Sequence, residues 1–186
     1  MSNALNYENW KEEQIDGKIY YMSPAPTFKH NEVQGNLYSE FKNYLKDKKC
    51  KIYLGGNVHI DEDNLETYII PDLSIICDHS KFKNGRYYGV PQLIIEILST
   101  NRADDKIIKF ELYERVGVKE YWIVDPISNE ITQYVLNNNK YKLLAIFNLL
   151  EDWELEHLTI EEAKAYNTII KPTIFEDLEI DIKDIF

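Results

Sequence analysis

Two carboxylates inside apolar runs set the chemistry this chain can attempt. Asp72 lies in Tyr68-Ile69-Ile70-Pro71-Asp72-Leu73-Ser74-Ile75-Ile76-Cys77, and Glu96 in Pro91-Gln92-Leu93-Ile94-Ile95-Glu96-Ile97-Leu98. A buried carboxylate is costly unless it is paired or holds a cation. Two such acids on neighbouring strands, with an ammonium close by, can hold a divalent metal and steady a phosphate. Lys109 offers the ammonium. Asp105, Lys109 and Tyr113 are spaced i, i+4, i+8 and share one helix face. Their helix directly follows the Glu96 strand, so Lys109 can reach back over the strand end. A plainer arrangement is also open: an i, i+4 ion pair is common on helices and worth little. A structural bridge from Glu96 to Lys109 or Arg102 would satisfy Glu96 as well as a metal would.

The remaining chemistry-bearing residues narrow the choice. His30 falls in the first turn of a helix, where the amide dipoles favour a neutral imidazole or a nearby anion. His59, His79 and His157 have no metal-ligand spacing with one another, which argues against zinc. No glycine-rich phosphate loop and no nucleophile elbow around Ser99 is present.

The elements that must position these residues follow from turn chemistry and periodicity. Asp16-Gly17 predicts a hairpin between Glu13–Ile15 and Lys18–Met22, closed off by Pro24 and Pro26. A helix is expected from Thr27 to about Lys46, with Val33, Leu37, Phe41, Tyr44 and Leu45 on one side. Lys51–Ile60 reads as one strand, bent or bulged at Gly55-Gly56. The Asp72 and Glu96 strands come next, joined by the basic stretch His79–Gly89. Asn101 and Asp104 resemble a capping box for a helix over Arg102–Val116, and Gly117 sits where a left-handed cap is easy. Lys119–Asp125 is a strand; Ile131–Leu136 and Lys140–Phe147 form a hairpin around the Asn137-Asn138-Asn139 run. Apolar residues among the acids after Ile174 predict a tail that docks on the domain. Strand, strand, helix, strand argues for an α/β fold with a mixed sheet flanked by helices. Near-continuous apolar runs suit central strands covered on both faces.

The chain has 186 residues, enough for one domain over residues 1–186 with a real core. Its net charge is −11, but most of that excess lies after Leu149, leaving the front nearly neutral with basic clusters at Lys46–Lys51 and Lys81–Arg86. No apolar run approaches bilayer length, and Met1–Lys18 lacks a signal-peptide core. Cys50 and Cys77 belong to no paired-cysteine motif, and two free thiols in a reduced cytoplasmic setting are expected.

Taken together, several segments resemble the Uma family of the PD-(D/E)XK, restriction-endonuclease-like superfamily. They are Pro71-Asp72, Ile95-Glu96-Ile97-Leu98-Ser99, Asp105…Lys109…Tyr113, Gly117-Val118 and Glu120-Tyr121-Trp122-Ile123-Val124-Asp125-Pro126. The likeness extends to Ile15-Asp16-Gly17, Met22-Ser23-Pro24, His30 and Leu178–Phe186, nearly the whole chain. It implies a restriction-endonuclease-like core with an N-terminal β-hairpin, and Asp72 and Glu96 as ligands of Mg²⁺ or Mn²⁺. Leu98 stands where the superfamily usually has its lysine, and Lys109 matches the family's lysine on the following helix. Gln92 stands where the family often has an acid. His30 matches a position near the site, and Asp105 and Tyr113 would support Lys109 and Glu96. The implied activity is metal-dependent hydrolysis of DNA phosphodiester bonds by a homodimer without a membrane partner. Two other readings remain: a nuclease-fold binding or assembly protein without catalysis, and a structural homodimer whose acids simply pair with Lys109.

Overall fold

The N-terminal hairpin pairs β1 (Lys11–Ile15) with β2 (Lys18–Met22) through Asp16-Gly17, both at positive φ (50° and 80°), as a two-residue hairpin turn requires. This is the computed structural model of the chain, and it describes residues 11–22, 25–99 and 103–186, the side chains of 22 and 103–106 excepted. Helix α1 (Phe28–Tyr44) starts where the Thr27 hydroxyl accepts a bond from the His30 amide at 3.2 Å. Val33, Leu37 and Phe41 recur every fourth residue and are fully buried. Then come β3 (Lys51–Leu54), β4 (Val58–His59), β5 (Tyr68–Ile69), β6 (Leu73–Ile76), β7 (Phe82–Lys83), β8 (Arg86–Tyr88) and β9 (Leu93–Ile97). Helix α2 (Ala103–Val116) ends at Gly117, whose φ of 87° lets its amide fold back to the Tyr113 carbonyl. The remaining elements are β10 (Glu120–Asp125), β11 (Glu130–Asn137), β12 (Lys140–Asn148), the short helices α3 (Asp152–Leu155) and α4 (Ile160–Ala165), β13 (Ile169–Ile170) and β14 (Ile180–Asp181). Asn101, the expected cap of α2, lies outside the described residues.

The main sheet runs β12-β11-β10-β9-β6-β3 and is antiparallel except for β9 and β10, which α2 joins as a crossover. A second sheet runs β2-β1-β5-β4-β8-β7. This is the expected α/β architecture of mixed sheets, helices and an N-terminal hairpin. Two segments expected as continuous strands are instead divided between the sheets. In the first, Gly55 and Gly56 adopt φ of 58° and 99°, and the chain leaves the main sheet after β3 to enter the second as β4. In the other, β5 belongs to the second sheet and β6 to the main one. Pro71 has no donor to continue a ladder, so the strand breaks there and Asp72 sits at the crossing, one residue before β6. The basic stretch after His79 forms a hairpin that periodicity did not reveal: Asn84-Gly85, both at positive φ, closes β7 on β8.

Alternation along β9 sends its side chains to two different cores. Leu93, Ile95 and Ile97 join α1 and the C-terminal residues Leu178, Ile180, Ile182 and Ile185. Ile94 joins Leu112 and Tyr113 of α2 and Ile15, Val58 and Ile69 of the second sheet. The tail docks as expected, with Asn36 Nδ2 donating to the Ile185 carbonyl at 3.0 Å. Glu96 shares the Ile94 side of β9 and so points toward α2 and the second sheet.

The expectation of two free thiols is corrected. Cys50 and Cys77 form a disulfide, with Cα atoms 4.0 Å apart. Lys51 pairs with Ile76 across β3 and β6, so the cysteines just beyond them face each other in register. Sequence spacing could not show that pairing, and the cytoplasmic expectation loses the support that free thiols gave it. Among the described residues no helix is long and apolar enough to cross a membrane.

Candidate functional site

Asp72 and Glu96 meet where β6 and β9 run side by side. The Ile97 amide donates to Asp72 Oδ2 at 2.8 Å, and the Asp72 amide points at Glu96 Oε2 at 3.5 Å. Each acid therefore leans on the other's strand. From α1, His30 brings Nε2 within 3.3 Å of Asp72 Oδ2, and Gln34 donates to the Asp72 carbonyl at 2.9 Å. From α2, one turn apart on one face, Lys109 Nζ and the Tyr113 hydroxyl both reach Glu96 Oε1, at 3.1 and 2.6 Å. Asp72, Glu96, Lys109, Tyr113 and His30 are thus brought together. The side chain of Asp105 lies outside the described residues; its backbone continues the same helix.

One member of the cluster was not foreseen. Glu13 is fully buried, and its Oε1 accepts from Lys109 Nζ at 3.0 Å and from the Ile70 amide at 2.8 Å. It sits in a charged run, Lys11-Glu12-Glu13-Gln14, that reads as a solvated strand. The one local signal was alternation, since Glu13 and Ile15 share a face of β1 and both point inward.

The electrostatics follow from burial and from an excess of acid over base. Burial pushes the Glu96 carboxyl up, Lys109 pulls it down, and the nearby carboxylates of Asp72 and Glu13 raise it again, leaving it at about 7. Burial also acts to raise Asp72, but His30, the Ile97 amide and Lys109 outweigh it and hold the group below its ordinary value. Burial and the carboxylates of Glu96 and Glu13 keep the Tyr113 phenol protonated well beyond the usual range. Among the described residues, the buried side-chain atoms without a hydrogen-bond partner are Glu13 Oε2 and His30 Nδ1 in this cluster and His59 Nε2 outside it.

Glu13 and Glu96 share one ammonium, with Asp72 beside them on His30, and divalent charge would balance such a site. Mg²⁺ is commonly held by one or two carboxylates, with waters and phosphate oxygens completing its shell. The oxygen donors of Asp72 and Glu96 suit such an ion, and Glu13 Oε2 is a further buried acceptor without a hydrogen-bond partner. Among the described residues no group of three or more His, Cys, Asp or Glu is arranged to hold a metal. A surface cavity of about 1110 Å³ lies on the other flank of α2, lined by Ile107, Phe110, Arg115 and Tyr134, and none of the clustered acids faces it.

The chain is 28% identical over 165 residues to slr1290, an uncharacterized protein of Synechocystis sp., across 84% of this chain and 86% of that one. Its fold is similar to the crystal structure of a "putative nuclease belonging to DUF820" from Anabaena variabilis, with a TM-score of 0.67 and 21% identity over 94% of this chain and 89% of that one. The model of the Uma2 family, described as "Putative restriction endonuclease", matches residues 3–163. With that match spanning most of its length, the chain belongs to the Uma2 family and has a PD-(D/E)XK-like nuclease fold.

Proposed function

We propose that this single-domain chain is a metal-dependent endonuclease that hydrolyses DNA phosphodiester bonds. One observation supports this above the others: Asp72 at the crossing before β6, Glu96 of β9, Lys109 of α2 and Glu13 of β1 form a buried cluster with more carboxylate than ammonium. Asp72 and Glu96 would hold Mg²⁺ or Mn²⁺. Such an ion, when bound, polarises a phosphate and lowers the pKa of a coordinated water. His30 and the Ile97 amide fix the Asp72 carboxylate, and Tyr113 fixes one oxygen of Glu96. Lys109 would orient the attacking water or answer negative charge developing on the phosphate. Asp105, on the same helix, is assigned a supporting role.

A second copy of the chain is the proposed protein partner. The nine-residue β12 is an edge strand of the main sheet, and Leu143, Leu144 and Ile146 on it are each about half exposed. Long apolar edges favour pairing with another strand.

Plasmid cleavage in Mg²⁺ or Mn²⁺ tests the reading. Glu96→Ala is expected to lose cleavage while keeping its fold by circular dichroism; equal nicking by wild type and variant would refute the assignment. Lys109→Met is expected to lower turnover more than metal affinity. The bridges from Lys109 to both Glu13 and Glu96 also favour a second reading, a nuclease-fold binding protein whose site is closed by ion pairs. Retarded DNA in a gel without metal-dependent cleavage or metal-binding heat would select it.

A further inference from the structure

We propose that Glu13 is the positioning residue for Lys109, keeping its ammonium in the cluster when Glu96 engages a divalent cation; the proposal rests on the nuclease reading above. Lys109 Nζ lies between two carboxylates, 3.0 Å from Glu13 Oε1 and 3.1 Å from Glu96 Oε1. A cation on Glu96 Oε2 draws on the charge that Lys109 pairs with at Oε1 and repels the ammonium. Lys109 is only 3% exposed, so it has no water to move into without rearrangement. Glu13 resolves the conflict. It reaches the cluster from β1 in the second sheet, whereas Glu96 comes from β9 in the main one, and its Oε2 is a buried acceptor without a partner. That oxygen can take up the N–H that Glu96 gives up. The ammonium then keeps both its charge and its place beside the scissile phosphate.

The mounting of Glu13 fits this task. Its Oε1 also binds the Ile70 amide, two residues before Asp72, so the same carboxylate braces the backbone that delivers Asp72. At the turn of the hairpin, Arg115 of α2 donates to Asp16 Oδ1 at 2.8 Å. Strand β1 and helix α2 are therefore linked twice, inside by Glu13–Lys109 and outside by Asp16–Arg115. The spacing between the two partners is held independently of β9.

Glu13→Gln tests the proposal, because it keeps the shape and the Ile70 bond and removes the charge. In Mn²⁺, Lys109 of the variant should be acylated by an N-hydroxysuccinimide ester about fivefold faster than in wild type, normalised to the exposed Lys140 and read by mass spectrometry. The Mn²⁺ dissociation constant by calorimetry should stay within about threefold of wild type. Plasmid cleavage should lose about tenfold or more in kcat with KM little changed. Adding Glu13→Gln to Lys109→Met should cause no further loss. Unchanged Lys109 labelling overturns the proposal. So does a tenfold loss of Mn²⁺ affinity, which would make Glu13 a ligand, or an undiminished extra loss in the Lys109→Met background. Wild type that binds Mn²⁺ but cleaves nothing, with the labelling shift intact, removes the nuclease reading and leaves the role of Glu13 standing. Wild type that binds no Mn²⁺ overturns both. If Glu13→Gln alone fails to fold, the double variant Glu13→Gln/Lys109→Met should fold, and its failure to do so overturns the proposal.

Discussion

Glu96 and Glu120 are buried carboxylates on neighbouring parallel strands, β9 and β10, yet they are satisfied by opposite means. Glu120 accepts only from neutral donors. Trp122 Nε1 and Gln133 Nε2 reach Oε1, both at 2.7 Å, while the amide and hydroxyl of Thr173 and the Ile174 amide reach Oε2 at 2.7, 2.6 and 3.3 Å. Its charge is dispersed over fixed dipoles, and it fastens the C-terminal segment to the main sheet. Glu96 is met instead by one ammonium, one phenol and the distant Asp72 amide at 3.5 Å, with two further carboxylates close enough to raise its pKa. Burial alone therefore does not mark a functional acid. The distinguishing feature is whether the surroundings already complete its charge.

The largest expected effect separates the two residues by activity. Glu96→Ala should reduce metal-dependent plasmid nicking to the no-metal background, whereas Glu120→Ala should retain cleavage per folded molecule. If both variants lose activity in proportion to folded protein, the contrast fails. Stability should show the reverse order. Glu120→Ala strands several buried donors and should cost about 3 kcal/mol or more in urea unfolding, exceeding the cost of Glu96→Gln.

The pH dependence sharpens the contrast further. The Glu96 carboxyl stands at about 7 in the fold against an ordinary 4.5, so the folded state binds the proton more tightly than the unfolded one. Its contribution is fully present below about 4.5 and is lost as pH rises through 7, by up to about 3 kcal/mol. In metal-free buffer with chelator, wild type should lose stability over that window relative to Glu96→Gln. A parallel pair of curves would mean that Glu96 is compensated as fully as Glu120. The smallest effect is stabilisation by ligand: at Mn²⁺ a hundredfold above its dissociation constant, wild type should gain about 2.7 kcal/mol. Glu120→Gln should gain as much and Glu96→Ala little, a difference that thermal melts would read.

The sequence disclosed much of what depends on near neighbours, although the equally local Asn84-Gly85 turn between β7 and β8 escaped it. Asp16-Gly17 and the Asn137–Asn139 run announced their turns because positive φ, adopted at Asp16, Gly17, Asn138 and Asn139, is a local demand that few residues meet. The i, i+4 spacing placed Lys109 and Tyr113 on one face of α2, and both do reach Glu96. Features that depend on distant partners stayed hidden. Lys51–Ile60 and Tyr68–Cys77 look like single strands because both halves of each are apolar, and only the packing of two sheets shows where the chain crosses. Cys50 and Cys77 meet through the register of β3 on β6, which no spacing rule encodes. Glu13 was concealed by its charged neighbours, and its burial depends on a sheet partner and on a lysine 96 positions away.

The chain passes from one sheet to the other at Gly55-Gly56 and again at Ile70-Pro71, and the acidic cluster draws Glu13 from one side of that divide and Glu96 from the other. Neither layer can open on its own without pulling the constellation apart. Amide protons of β1 and β9 should consequently exchange in a single cooperative event, and a protease cut at residues 61–66, between β4 and β5 of the second sheet, would end function at the same moment that it loosened the scaffold.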